Sequence, residues 1–273
     1  MPEDSHQMNR PNVACQLDDL RRRIRSNEFC GPTSGLAPGF VQCNLVVIPE
    51  IYASDFQRFC ELNPRPCPLL AQSVPGDPTL PSLGATLDVR TDLPRYRHWH
   101  HGVVTHESRD IRDVWRSDLA AFALGCSFSF EEALINEGIP MRHIDLGVNV
   151  PMYRTTLPCR ASGPFEGNMV VSMRPMTPAN AIKAIQICSR YPSVHGAPIH
   201  FGNAAQLGIP NLDTPDFGDR VDVAPGETPV FWACGVTPQL ALESAKLPLA
   251  FTHSPGCMLI TDKLNSELAV TSP

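Results

Sequence analysis

The chain has 273 residues, 42% apolar and 18% charged, and its 22 basic against 28 acidic side chains leave a formal charge of −6. A chain of this length and composition is globular and buries about 70–75% of its unfolded surface. One basic cluster, Arg21 to Arg25, gives no footprint for nucleic acid, and the longest apolar run, Leu119 to Cys126, is far short of the roughly 20 residues of a membrane span.

In chain order, residues 1–12 are expected to form a flexible tail, residues 13–265 a single catalytic unit, and residues 266–273 a second tail. The first twelve residues carry acidic side chains and no apolar core of a secretory signal. The ten cysteines form no CxxC pair. Reduced thiols and a cytoplasmic location are therefore expected, with no metal and no cofactor.

The N-terminal half, residues 13–150, begins with Leu17, Leu20 and Ile24 at helical spacing. A strand follows over Phe40 to Ile48, stopped by Pro49, and then a helix from Ser54 with Phe56, Phe59 and Cys60 inward. Tyr96 to Trp99 and Val103 to Thr105 read as a hairpin around His101-Gly102. Val114 to Leu124 is predicted helical, and the Ser129 to Glu132 spacing predicts a capping box on a short helix that Gly138 stops.

The C-terminal half, residues 151–265, reads as an imperfect internal repeat, 170–200 against 230–260. Each copy runs from an apolar strand into Thr-Pro, then a helix, then a histidine: Thr177-Pro178 leads to His195, and Thr237-Pro238 to His253. Thr at the N-cap with Pro after it is a strong helix start, and the two helix N-termini would attract anions. The 28 prolines, with 18 glycines, bring these two residue types to about 17% of the chain, against about 12% on average. That surplus predicts rigid turns around short elements, and a mixed α/β or α+β fold with irregular connections.

Arginine outnumbers lysine 19 to 3, and its planar fork suits carboxylates, so Arg174, Arg154 and Arg97 are candidates for holding a small acidic substrate. Thr177 and Thr237 join them as helix-start ligands. His195 and His253, beside glycine or proline in loops, are candidate proton shuttles. His200 lies close to His195. Cys234 is a candidate nucleophile, because it precedes a helix start where a thiol pKa falls. Cys126 and Cys67 sit in similarly unusual contexts, and Glu131 and Asp262 are candidate carboxylates. Alternation in His98-Trp99-His100-His101 splits the rings between two faces of a strand and argues against a metal. Phosphate-loop, dinucleotide, GxSxG and HExxH motifs are absent.

Nine blocks together resemble the D-glutamate cyclase family of hydro-lyases. They are GLAPGFVQCNLVVIP (35–49), NPRPCPLL (63–70), RTDLPRYR (90–97), GCSFSFEEALINEGIPMRHI (125–144), NVPMYRT (149–155), SMRPM (172–176), HGAPIHFG (195–202), FWACGVTPQ (231–239) and THSPGCMLITD (252–262). The resemblance spans roughly residues 15–263 and implies dehydration of D-glutamate to 5-oxo-D-proline without ATP. The chain departs from the family pattern at Cys257, where histidine is expected. The residues leave two alternatives open, a hydro-lyase acting on another small amino or hydroxy acid and a non-catalytic binder of 5-oxoproline or a similar acid. A homo-oligomer is compatible with either.

Overall fold

The computed structural model describes residues 10–270. Two wholly antiparallel sheets organise them, so the fold is mixed α and β, as the composition and turn chemistry predict. The expected tails lie partly outside the described residues.

The larger sheet is built around β1 (Phe40–Pro49), the strand predicted there. On one side β1 pairs with β5 (Leu119–Gly125), which carries β2 (Leu69–Gln72) beyond it. On the other side it pairs with β10 (Ala250–His253), which leads on to the hairpin β3 (Tyr96–His100) and β4 (Val103–Ser108). The last strand, β11 (Leu259–Leu264), also pairs with β1. Both faces are covered: Leu45, Val47, Tyr96 and Phe251 pack on one side, and Val46, Ile48, Phe122 and Trp99 on the other. Two buried faces explain why Leu45 to Ile48 of β1 is a continuous apolar run rather than an alternation.

The helix predicted over Val114 to Leu124 is corrected here. Only a 3-10 turn covers Arg112–Val114, and Leu119–Gly125 is the fully buried strand β5. A short, uniformly apolar run has no period that separates a buried strand from a buried helix, and the open edges of β1 and β2 decide the matter.

The first helix, α1 (Arg10–Arg25), buries Leu17, Leu20 and Ile24 as their spacing predicts. Helix α2 (Ala53–Leu62) buries Phe56, Phe59 and Cys60. Helix α3 (Phe128–Asn136) starts with Ser127 at its N-cap, and Gly138 follows with φ 75°. The capping box expected at Ser129 does not form, because Ser129 lies inside the helix with its hydroxyl buried and unpartnered. The short helix α4 (Arg142–Asp145) follows.

The smaller sheet has the order β6 (Met152–Pro158), β7 (Asn168–Met176), β9 (Thr228–Ala233), β8 (His200–Phe201). Strand β7 runs into α5 (Pro178–Cys188) and β9 into α6 (Thr237–Ala245), so the two Thr-Pro helix starts come from neighbouring strands. The starts differ locally. Thr177 caps α5 by accepting the Asn180 amide at 3.3 Å, whereas α6 has Val236 at its N-cap and Thr237 in its first turn. After α6 the chain returns to the larger sheet as β10 and β11, which ties the two halves together. Among the described residues, no helix is long and apolar enough to cross a membrane.

Candidate active site

A cleft opens where β5, β9 and β10 end, with about 430 Å³ of empty space counting its mouth. The larger sheet supplies one wall through Asn44, Cys126, Ser127, His253 and Gly256. The other wall comes from Asn149 to Met152 at the start of β6, from Cys234 to Val236 at the end of β9, and from His195. Three residues singled out for catalysis from sequence, His195, His253 and Cys234, therefore face one cavity. Asn44, Cys126 and Ser127 complete it.

His195 ends the 3-10 turn Pro192–Val194 in a left-handed conformation, φ 82°, that few non-glycine residues adopt. Two contacts hold it there. Gly125 lets the turn approach β5 closely: a Cβ at that position would collide with the Ser193 carbonyl oxygen and come within 2.8 Å of Val194 Cγ1. The ring Nδ1 lies 2.6 Å from the Arg65 carbonyl oxygen, in the loop NPRPCP after α2. A carbonyl only accepts, so Nδ1 donates and Nε2 keeps its lone pair.

His253 closes β10 opposite β1, and its ring takes the place of a backbone ladder partner. The Leu45 amide donates to Nδ1 at 3.2 Å, shorter than the 3.4 Å separation from the Leu45 carbonyl. We assign the ring proton to Nε2 on that basis. Burial pulls both histidines down to about 4; the Arg65 and Leu45 carbonyls, which would accept from the charged rings, oppose the change, and nearby Arg174 and Arg97, respectively, add to it. At neutral pH the cleft therefore holds two uncharged imidazoles of opposite tautomer, one accepting and one donating at Nε2.

Cys126 and Cys234 occupy equivalent positions at the turns from β5 into α3 and from β9 into α6. Burial pushes Cys126 up to about 12 and Cys234 up to about 11, against the Phe128 and Val236 amides and the Arg174 charge, which favour the thiolate. The expectation of a lowered Cys234 pKa is thus corrected: desolvation outweighs the helix N-terminus. The N-caps Ser127 and Val236 both line the cleft, so two helix N-termini point into it and favour an anion.

Arg174 lies one layer beneath. Its Nε donates to Glu131 Oε1 at 2.9 Å, Nη1 to Ser172 Oγ at 2.9 Å, and Nη2 to Ser127 Oγ at 3.1 Å and to Glu131 Oε1. The guanidinium is also flanked by the rings of Phe130 and Trp232 at 5.2 and 5.1 Å. Burial raises the Glu131 carboxyl, but the Arg174 charge and His143, whose Nε2 is 3.4 Å away, outweigh it and hold it at about 2. This ion pair is fully enclosed. Arg174 thus meets the cleft through the Ser127 hydroxyl rather than directly.

The remaining expected residues stand outside the cleft. Arg154 is exposed on β6, 3.4 Å from Glu243 and over the Phe217 ring. Arg97 pairs with Glu107 at 3.2 Å on the β3–β4 hairpin. Thr177 is exposed at its cap, and buried Thr237 accepts the Val170 amide at 3.0 Å. His200 contacts the Asn203 carbonyl at 2.9 Å, Asp262 pairs with Arg21 at 2.5 Å, and Cys67 is buried in the core beside α2. Cys257 points away from the cleft toward the Gly31 carbonyl at 3.5 Å, while its neighbours Gly256 and Met258 line it. Among the described residues no group of three or more His, Cys, Asp or Glu side chains is arranged to hold a metal ion.

Two imidazoles that are uncharged in the neutral range and the N-termini of α3 and α6 thus meet at one mostly apolar cleft. Comparison with known proteins gives the chemistry its class. Residues 120–262 match the family model for D-glutamate cyclase. A protein of Bordetella petrii named "Putative hydro-lyase" is 58% identical over 250 residues, covering 92% of this chain and 95% of its own. Relatives of the same name from Methylobacterium sp. and Bradyrhizobium diazoefficiens are 56% and 59% identical, over 92% and 88% of this chain and 94% and 89% of theirs. A solved nitrogen repressor-like protein from Methanococcus jannaschii covers 90% of this chain at 11% identity with a TM-score of 0.37, and nothing is drawn from it. The chain belongs to the D-glutamate cyclase family. It is a lyase of the hydro-lyase type.

Proposed function

We propose that the protein dehydrates D-glutamate to 5-oxo-D-proline and water without ATP. The observation that carries this reading is the pairing of His195 and His253, one accepting and one donating at Nε2, across a cleft toward which two helix N-termini point.

Ring closure needs a neutral amine, a γ-carboxyl that loses an oxygen as water, and a holder for the α-carboxylate. Because it is intramolecular, folding the substrate into the closing conformation supplies much of the rate. His195 Nε2 takes a proton from the ammonium group. The freed amine attacks the γ-carboxyl carbon, His195 returns its proton to one γ-oxygen, and the second proton shed by the nitrogen as the amide forms passes to the same oxygen, which leaves as water while His253 Nε2–H donates a hydrogen bond to it. The Ser127 hydroxyl accepts from Arg174 and so keeps its own proton for an oxygen of the substrate. It and the N-termini of α3 and α6 hold the α-carboxylate and stabilise the tetrahedral oxyanion. Cys234 could form a thioester with the γ-carboxyl, but a thiol raised by burial is a poor nucleophile in the neutral range.

The test is NMR of D-glutamate with the purified protein, following loss of the amine and appearance of 5-oxoproline, beside the same assay on other small amino and hydroxy acids. Product from another acid alone would reassign the substrate. Thermal stabilisation by an acid without any product would make the protein a binder.

A further inference from the structure

The two cleft thiols have no part in the cyclisation just described, and their placement is paired. Cys126 follows β5 of the larger sheet and Cys234 follows β9 of the smaller one. Each is the first residue of the turn between a strand and a nine-residue helix, and both line the same cleft. His195 and His253, at 1% and 3% exposure, line the same cleft beside them. One thiol therefore belongs to each sheet, and both border the space a ligand in the cleft would occupy.

We propose that Cys126 and Cys234 are opposed acid–base groups that exchange the Cα proton of the bound acid, so that the protein also interconverts the two enantiomers of its ligand. The proposal rests on the reading of the cleft as a site for a small α-amino acid. In the step, one sulfur as thiolate takes the Cα proton and becomes a thiol. The electron pair of the broken C–H bond passes into the adjacent carboxyl group, where the helix N-termini and the Ser127 hydroxyl hold the added negative charge. The opposite thiol then delivers its proton to the other face of the carbon and becomes the thiolate. One C–H bond breaks, one forms, and a single negative charge moves from one sulfur to the other, so no oxidant, metal or cofactor is consumed.

Burial keeps both thiols protonated in the neutral range, so the active form, with one proton removed from the pair, grows with pH. The exchange rate should rise about tenfold per pH unit from 7 to 9.

The full-length protein is incubated in D2O, separately, with D-glutamate, L-glutamate and 5-oxo-D-proline. The Hα signal is followed by proton NMR and the products by chiral chromatography. The expected result is loss of Hα with appearance of the opposite enantiomer for at least one acid. Cys126→Ser and Cys234→Ser should each lower that exchange about a hundredfold, while circular dichroism shows both variants folded. Deuterium at Cα reads exchange and 5-oxoproline formation reads cyclisation, so the two readings fail separately. Full retention of Hα by the wild-type protein in all three acids would overturn the proposal whether or not cyclisation occurs. So would exchange that persists undiminished in the folded double variant.

Discussion

The Arg174 guanidinium donates to the Ser127 hydroxyl at 3.1 Å, and this bond joins a fully buried ion pair to the N-cap of a helix that opens into the cleft. Arginine at this position organises a donor for the ligand instead of gripping it. Ser127→Ala should therefore raise KM and lower kcat about tenfold to a hundredfold with little loss of stability. Arg174→Lys keeps the charge but loses the planar fork that reaches Ser127, Ser172 and Glu131 together, and should mimic Ser127→Ala in kinetics while also unfolding earlier in urea.

Glu131→Gln leaves a buried guanidinium unpaired and should cost about 3–5 kcal/mol in denaturant unfolding. The same pair gives a pH signature. The folded carboxyl titrates at about 2, below its unfolded value, so its contribution is complete above the ordinary carboxylate range and is lost as pH falls toward 2. Stability measured from pH 6 to pH 2 should fall across that window, and the fall should be shallower in Glu131→Gln.

His195 and His253 titrate at about 4 in the folded protein, so both imidazoles stay neutral from pH 5 to 8. Lyase activity should be level with respect to these groups over that range and fall as pH drops through 4. Their unfolded pKa is higher, so the stability they contribute is present above about 6.5 and is also lost toward pH 4. Replacing either by alanine should lower kcat about 10²–10⁴-fold. Unchanged turnover in both variants would remove them from the mechanism.

Gly125→Ala would thrust a Cβ into the Ser193 carbonyl and displace the turn that carries His195. A loss of about 1–3 kcal/mol in thermal or urea unfolding is expected, together with lowered activity. Cys257→Ala is the counterpart. Its side chain faces Gly31 and not the cleft, so turnover should stay within about twofold of wild type.

Much of this site was legible in the residues, through local signals. Thr-Pro helix starts and glycine or proline beside His195 and His253 pointed to loops where backbone and side chains meet a ligand, and these histidines do share one cleft with Cys234. What local signals could not supply was the layer at which a side chain sits. Arg174 reads as a free clamp until Glu131, 43 residues away, is seen to occupy its fork. Ser127 and Asn44 were not picked out because single polar residues beside apolar strands carry no pattern. The equivalence of Cys126 with Cys234 is visible only as two strand-to-helix turns, and a helical reading of Val114 to Leu124 hides the first. A two-sided sheet strand and a buried helix bury the same kind of apolar run, and only the partner strands distinguish them.

The most direct test of the account is the NMR assay of D-glutamate with wild-type protein and with His195→Ala and His253→Ala. The account predicts conversion to 5-oxoproline by the wild type, with loss of that conversion in both folded variants. No product from D-glutamate, or product formed equally well by both variants, would contradict it.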